Sequence, residues 1–171
     1  MKTTHQEGAI DRVALLTPEG RGAIATIGVD GPGAVERVDR FFRPAGHHGI
    51  GQAAPGRILF GRWRDVDGEE LVVCRRDQQT VEIHSHGGPA AFEALLADLV
   101  RSGCRRVAWS EWVEQREPDR LRAAAAIALA SAQTRRTAAI LLDQFHGALA
   151  RAVGEVQQAV GASDADCAAE L

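Results

Sequence analysis

Residues 80–100 read T-V-E-I-H-S-H-G-G-P-A-A-F-E-A-L-L-A-D-L-V, and their two halves follow different periods. The first half alternates. In a strand, successive side chains point to opposite faces, so Val81, Ile83 and Ser85 share one face and Glu82, His84 and His86 the other. The second half carries Phe92, Leu95, Leu96, Leu99 and Val100 at helical spacing, an apolar stripe about one face wide. Gly87-Gly88-Pro89 separates them, with proline at the first turn of the helix, where its missing N–H costs nothing. Gly103 ends the helix. A strand running into a helix that must return over the sheet makes the chain an α+β protein.

Toward the N-terminus, residues 12–16 and 23–29 read as strands around a Thr17-Pro18-Glu19-Gly20-Arg21-Gly22 turn. Asp30 is placed to cap a helix that carries Val35, Val38, Phe41 and Phe42 and stops at Arg43-Pro44. Residues 45–56 are rich in Gly, His and Pro and read as loop. Residues 57–65 and 69–75 form a hairpin across Asp67-Gly68. Residues 106–109 make a last short strand. The order is β-β-α-β-β-β-α-β, a mixed sheet with helices on one face. From Pro118 the character becomes helical. Residues 121–133 and 138–160 form a helical hairpin, with Gly147 and Gly154 as weak points, and residues 161–171 form a flexible tail. The expected division is residues 1–113 as the α+β domain and residues 114–171 as the helical segment.

Bulk properties narrow the function. The chain has 171 residues, 45% hydrophobic and 25% charged, which suits one compact domain with an appendage. A net charge of -3 argues against a dedicated nucleic-acid binder. The basic pairs Arg75-Arg76, Arg105-Arg106 and Arg135-Arg136 are suited to contact tRNA phosphates, but in an acidic chain they read rather as solvated surface. Cys74, Cys104 and Cys167 form no CxxC pair, so neither a zinc ribbon nor a redox motif is expected. Cys74 and Cys104 read as small buried hydrophobes. Trp63, Trp109 and Trp112 read as packing or interface residues, Trp112 foremost. The polar N-terminus and the lack of a long apolar run point to a cytoplasmic protein with no membrane partner. No GxxxxGK[ST] loop occurs, so no nucleotide site of that kind is expected. No nucleophile–base pair is evident, so no catalytic residues are assigned.

Two readings of the Glu82, His84, His86 face stand. It is the solvated face of an antiparallel sheet, or it docks an anionic or amide-bearing ligand at the helix entrance, where unpaired N–H groups and the positive dipole end gather. A metal on His84 and His86 would need a third ligand, with Glu82, His47 or His48 as the sources; no metal site is assigned.

Three blocks in order carry a resemblance. They are D-R-V-A-L-L-T-P-E-G-R-G-A-I-A-T-I-G-V-D-G-P at 11–32, V-E-I-H-S-H-G-G-P at 81–89, and L-R-A-A-A-A-I-A-L-A-S-A-Q-T at 121–134. Together they resemble the N-terminal folate-binding and dimerisation domain of the tRNA-modification GTPase (MnmE/TrmE) family. That resemblance implies a fold like the folate-binding domain of glycine-cleavage T-proteins. It also implies a tetrahydrofolate derivative (5-formyl- or 5,10-methylene-tetrahydrofolate) as one-carbon donor, a homodimer, and a role in modifying the wobble uridine of tRNA. The implied partner is an FAD-dependent protein of the MnmG/GidA kind or, alternatively, a separate GTPase chain, with tRNA met only indirectly. Carried over by position, Glu82 falls on the folate-contacting glutamate. His86, Gly87 and Gly88 match the H-G-G signature, Gly20, Arg21 and Gly22 the first turn, and Arg120 the place of a folate-contacting lysine. Gly28 stands where the family has an arginine, and Arg75-Arg76-Asp77-Gln78-Gln79 replaces a longer family loop. Both departures weaken the implied folate pocket, and a degenerate pocket on an interaction module is the alternative. The family's GTPase domain and C-terminal cysteine motif have no counterpart in these residues.

Overall fold

The structure is a computed structural model that describes residues 10–18 and 22–169, with side chains described to residue 161. The chain divides between Trp109 and Ser110 into two compact units.

The first unit holds β1 (Arg12–Leu15), β2 (Ile24–Asp30), α1 (Ala34–Phe41), β3 (Phe42–Pro44), β4 (Ile58–Trp63), β5 (Glu70–Arg75), β6 (Thr80–His86), α2 (Pro89–Arg101) and β7 (Arg105–Arg106). They form one seven-stranded sheet in the order β3-β4-β5-β6-β2-β1-β7. Every pairing is antiparallel except that of β1 with β7. The core lies on one face, where Val13, Ile27, Val29, Val73, Val81 and Ile83 meet Val38 of α1 and Phe92, Leu95, Leu96 and Leu99 of α2. Each of these side chains is buried because its strand alternates or its helix repeats in step with that face. The mixed sheet with helices on one face agrees with the sequence reading.

Several local expectations need correction. Asp30 does not cap α1; it ends β2, where it pairs with Arg12. The cap position is Gly33, whose N–H donates to Asp11 Oδ1 at 2.8 Å. Phe42 leaves the helix for β3, where it packs into the core. A three-residue strand containing proline has no pattern to read, and proline is tolerated there because β3 is an edge. Within the expected loop, Ile50–Gln52 make a 3-10 turn with Ile50 buried and its N–H held by Asp39. The last strand is only Arg105–Arg106. Trp63 belongs to the core and stacks on Phe41 at 5.2 Å.

The second unit contains α4 (Arg120–Ala130), α5 (Arg135–Phe145) and α6 (Ala148–Ala169), preceded by α3 (Trp109–Arg116), which begins at the boundary. The expected strand at residues 106–109 thus gives way to helix at Trp109. Trp112 is buried, with the Arg116 guanidinium 5.5 Å from its ring centre, so it is no exposed anchor for a partner. Asp119 caps α4 by accepting from the N–H groups of Leu121 and Arg122. The expected long helix at 138–160 is two helices. Gly147, at φ +81°, turns the chain between them, a conformation open to glycine at no steric cost. The expected flexible tail is instead helical through Ala169. No helix among the described residues is long and apolar enough to cross a membrane.

Candidate functional site

β6 lies between β5 and β2, with hydrogen-bonded neighbours on both sides. Its alternation is as expected: Val81, Ile83 and Ser85 are buried, whereas Glu82 and His84 are half-buried and His86 is exposed. Glu82, His84 and His86 stand on the far face, opposite α1 and α2. The helix α2 therefore does not open onto them, because its apolar stripe holds it against the other face. The expected alignment of these side chains with the mouth of α2 is not how they are arranged.

The register supplies their surroundings. Glu82 lies opposite Gly28 on β2 and Cys74 on β5, and His84 lies opposite Thr26 and Val72. His84 Nδ1 is 3.1 Å from Thr26 Oγ1, and its Nε2 is 3.7 Å from Glu82 Oε2. Arg76 Nε is 3.5 Å from Glu82 Oε1. The Glu82 carboxylate thus sits between an imidazole and a guanidinium, both too far for short hydrogen bonds. Its oxygens retain capacity to accept from a ligand carrying paired N–H donors. Gly28, which stands where the resembled family has an arginine, adds no side chain beside Glu82. Arg76, from the substituted loop, places a cation there instead.

His86 is engaged differently. Its Nδ1 is 2.5 Å from Glu69 Oε1, and its backbone N–H donates to the same oxygen at 3.3 Å. Glu69 lies in the β4–β5 turn, so His86 ties that turn to the end of β6. Thr26 and Glu69 were not singled out from sequence, and Arg76 was read only as solvated surface in a basic pair. Nothing local marks them, since strand pairing alone brings them to β6.

Two of the sequence motifs meet. Gly87 N–H donates to Ala23 O at 3.0 Å, and a Cβ on Gly87 would overlap the Gly22 carbonyl oxygen. The H-G-G segment therefore packs on the end of the first turn, and glycine at 87 is required by that approach. Gly88 is exposed, with open space where a Cβ would sit. Gly87→Ala is expected to cost about 1–3 kcal/mol by overpacking, whereas Gly88→Ala is expected to be near neutral in thermal melts. Equal melting temperatures for the two variants would contradict this packing. Arg21 and Gly20 lie outside the described residues. Arg120 is exposed at the start of α4, in the second unit.

Arg106 and Arg75 are committed to structure. Arg106 grips Glu93 with two hydrogen bonds of 2.7 and 2.8 Å, which hold the Glu93 carboxyl below its usual range. Arg75 donates to Gly51 O and Asp77 O. Cys74 and Cys104 are buried free thiols, and burial pushes Cys104 up and away from thiolate chemistry.

Comparison with known proteins bears on this geometry. The family model described as "GTP-binding protein TrmE N-terminus" matches residues 12–115. Among curated relatives, the "tRNA modification GTPase MnmE" of Geobacillus thermodenitrificans is 31% identical over 164 residues, covering 86% of this chain and 35% of that protein. The protein of the same name from Listeria innocua is 29% identical over 160 residues, with the same two coverages. That from Chlorobaculum tepidum is 37% identical over 106 residues, covering 54% of this chain and 22% of its own length. The chain thus spans about a third of the length of most of these relatives. The matched residues contain the whole seven-stranded sheet, both helices that cover it and the Glu82 face, so the chain belongs to the TrmE N-terminus family and is related to the tRNA-modification GTPases.

Proposed function

We propose that this chain binds a tetrahydrofolate derivative, 5-formyl- or 5,10-methylene-tetrahydrofolate, on the far face of the sheet and serves tRNA wobble-uridine modification as a cytoplasmic homodimer. The observation that carries the reading is the half-buried Glu82 carboxylate between His84 and Arg76. A reduced pterin presents adjacent N–H donors, and a carboxylate accepts such a pair in bidentate fashion. His84 and Thr26 flank the ring position, and Gly28 leaves it uncrowded by any side chain of its own. His86, Gly87 and Gly88 follow Glu82 and His84 at the end of β6, and Arg21 and Arg120 belong to this reading by their match to the family's motifs alone. GTP hydrolysis and flavin chemistry fall to other polypeptide, a GTPase segment and an FAD-dependent partner of the MnmG/GidA kind.

Titration calorimetry with 5-formyl-tetrahydrofolate tests this. Glu82→Gln is expected to weaken binding roughly 10- to 100-fold, the value of one charge-assisted hydrogen bond. Wild-type protein that releases no heat with the folate, and whose melting curve does not move, would sink the proposal.

A second reading rests on a specific observation. Ile24, Ile58 and Phe60 are each more than half exposed, and strand alternation puts all three on the far face. Such an apolar surface suits an interaction module whose folate pocket has decayed with the loss of the arginine at position 28. Dimerisation without folate binding, seen by light scattering alongside the same titration, would favour this alternative.

A further inference from the structure

The edge of the sheet farthest from β1 carries an unexplained concentration of positive charge. Arg43 on β3 and Arg62 on β4 are direct cross-strand neighbours. Like charges placed opposite one another weaken a strand pair. Arg64 joins them at the end of β4, held at φ 70°. The three line a cavity of about 470 Å³ whose walls include Pro44, Phe60 and Val66. That size falls in the range of small-molecule sites.

The charge there is only partly answered. Arg62 pairs with Glu70, Arg64 pairs with Asp98, and Asp65 also lines the cavity. Arg43 donates to the carbonyl oxygens of Arg40 and Phe42 at 3.0 and 3.3 Å, and among the described residues no carboxylate pairs with it. The forks of Arg43 and Arg62 over an apolar wall suit a carboxylate borne on a flat or aliphatic body, whereas the Arg64 fork is taken up by Asp98.

The register connects this cavity to Glu82. Val72 lies opposite His84 on one side and opposite Phe60 on the other. A row on the far face therefore runs from His84 through Val72 to Phe60 and on to β3. At about 4.8 Å per strand, it spans on the order of 14 Å from β6 to β3. The row passes from a polar head site, over an apolar middle, to a basic end. A reduced folate is built in that order: a pterin ring, an aminobenzoyl ring and a glutamate with two carboxylates.

We infer that the Arg43–Arg62 cavity receives the glutamate carboxylates of the folate whose pterin meets Glu82. This rests on the reading proposed above and extends it to the other end of the ligand. Phe60 takes the aminobenzoyl ring, and Arg62 and Arg43 grip the acid end.

Two probes separate the ends of the ligand: 5-formyl-tetrahydrofolate, and 6-methyl-tetrahydropterin, which has the ring and no acid tail. Calorimetry on the wild type is expected to show the folate binding at least tenfold more tightly. Arg43→Ala is expected to remove at least tenfold of the folate's affinity and to leave that of the tetrahydropterin unchanged. Arg43→Lys, which keeps the charge but not the fork, is expected to fall between, and it guards against a fold defect in the alanine variant. If both probes bind and Arg43→Ala weakens neither, or weakens both equally, the tail site is overturned and the Glu82 reading survives. If neither probe binds the wild type, both proposals fail together.

Discussion

Asp98→Ala lowers the stability of the first unit by about 2–3 kcal/mol, enough to move its melting temperature by roughly 10 °C. The carboxylate is 2% exposed and gathers four donors. Trp63 Nε1 donates to Oδ2 at 2.9 Å, Arg64 Nε donates to the same oxygen at 2.5 Å, and Arg64 and Arg101 each donate to Oδ1. The alanine variant leaves the buried indole N–H without an acceptor, and that unmet group supplies most of the loss. The two arginines are half-exposed or more and regain water. The contact also ties α2 to the end of β4, so its loss loosens the helix against the sheet.

Acid should act through the same group. Burial pushes the Asp98 carboxyl up, but the hydrogen bonds from Arg64, Trp63 and Arg101 and the Arg64 charge outweigh it and hold the group below its ordinary value. A folded-state value lower than the unfolded one adds stability above about pH 4, which is lost as the pH falls through the folded value. Melting temperatures recorded downward from pH 5 should therefore fall more steeply for the wild type than for Asp98→Asn, which has no charge to lose. Parallel curves for the two would refute this assignment.

Asp11→Ala is expected to be nearly as damaging, at about 2–3 kcal/mol, and its damage should be localised. Asp11 is 4% exposed and stands just before β1. Its Oδ1 accepts from Gly33 N–H and its Oδ2 from Arg37 Nε, while its backbone carbonyl accepts from Arg105 N–H at 2.8 Å. Arg37 also donates to Ser102 O at the end of α2. One carboxylate thus caps α1 and orients the arginine that links the two helices. The hydrogen bond that Arg37 donates to Asp11 holds its guanidinium above its ordinary value. Gly31, at φ +138°, and Gly33 lie so close to Asp11 that a Cβ on either would collide with it. Hydrogen exchange should quicken first in α1, beginning with the Arg37 amide that bonds Gly33 O. Asp11→Asn, which keeps the acceptor for Gly33, should retain more of that protection. Uniform loosening of the whole sheet, with α1 no worse than the rest, would argue against this role.

These two aspartates show where local reasoning ended. From sequence, Asp30 was the natural cap for α1, since it stands three residues before Gly33 and is of the right type. The folded chain uses Asp11, 22 positions from Gly33, because β1 runs beside β2 and delivers it there. Asp98 sat on the polar side of nothing obvious: it lies between Leu96 and Leu99 in a stripe read as apolar. Its burial makes sense only once Trp63 and Arg64 are brought to it. The boundaries of β6 and the start of α2 were legible because the shift from a period of two to one near four is a local property. The three-residue β3 and the helical start at Trp109 were not, because each depends on what packs beside it, and Gly147 was legible only as a weak point, one of two glycines in that helix.

The class of fold, the family and the grouping of Glu82, His84 and His86 on one side of β6 could be read without coordinates, because periodicity is carried by neighbouring residues. The need for glycine at 87 could not, because it comes from the approach of the Gly22 carbonyl. Only the tertiary structure decided that this side faces away from α2, that Thr26, Arg76 and Glu69 attend it, and that Arg43 meets Arg62 at the far edge. Those facts follow from strand register, in which residues tens of positions apart become neighbours about 5 Å apart.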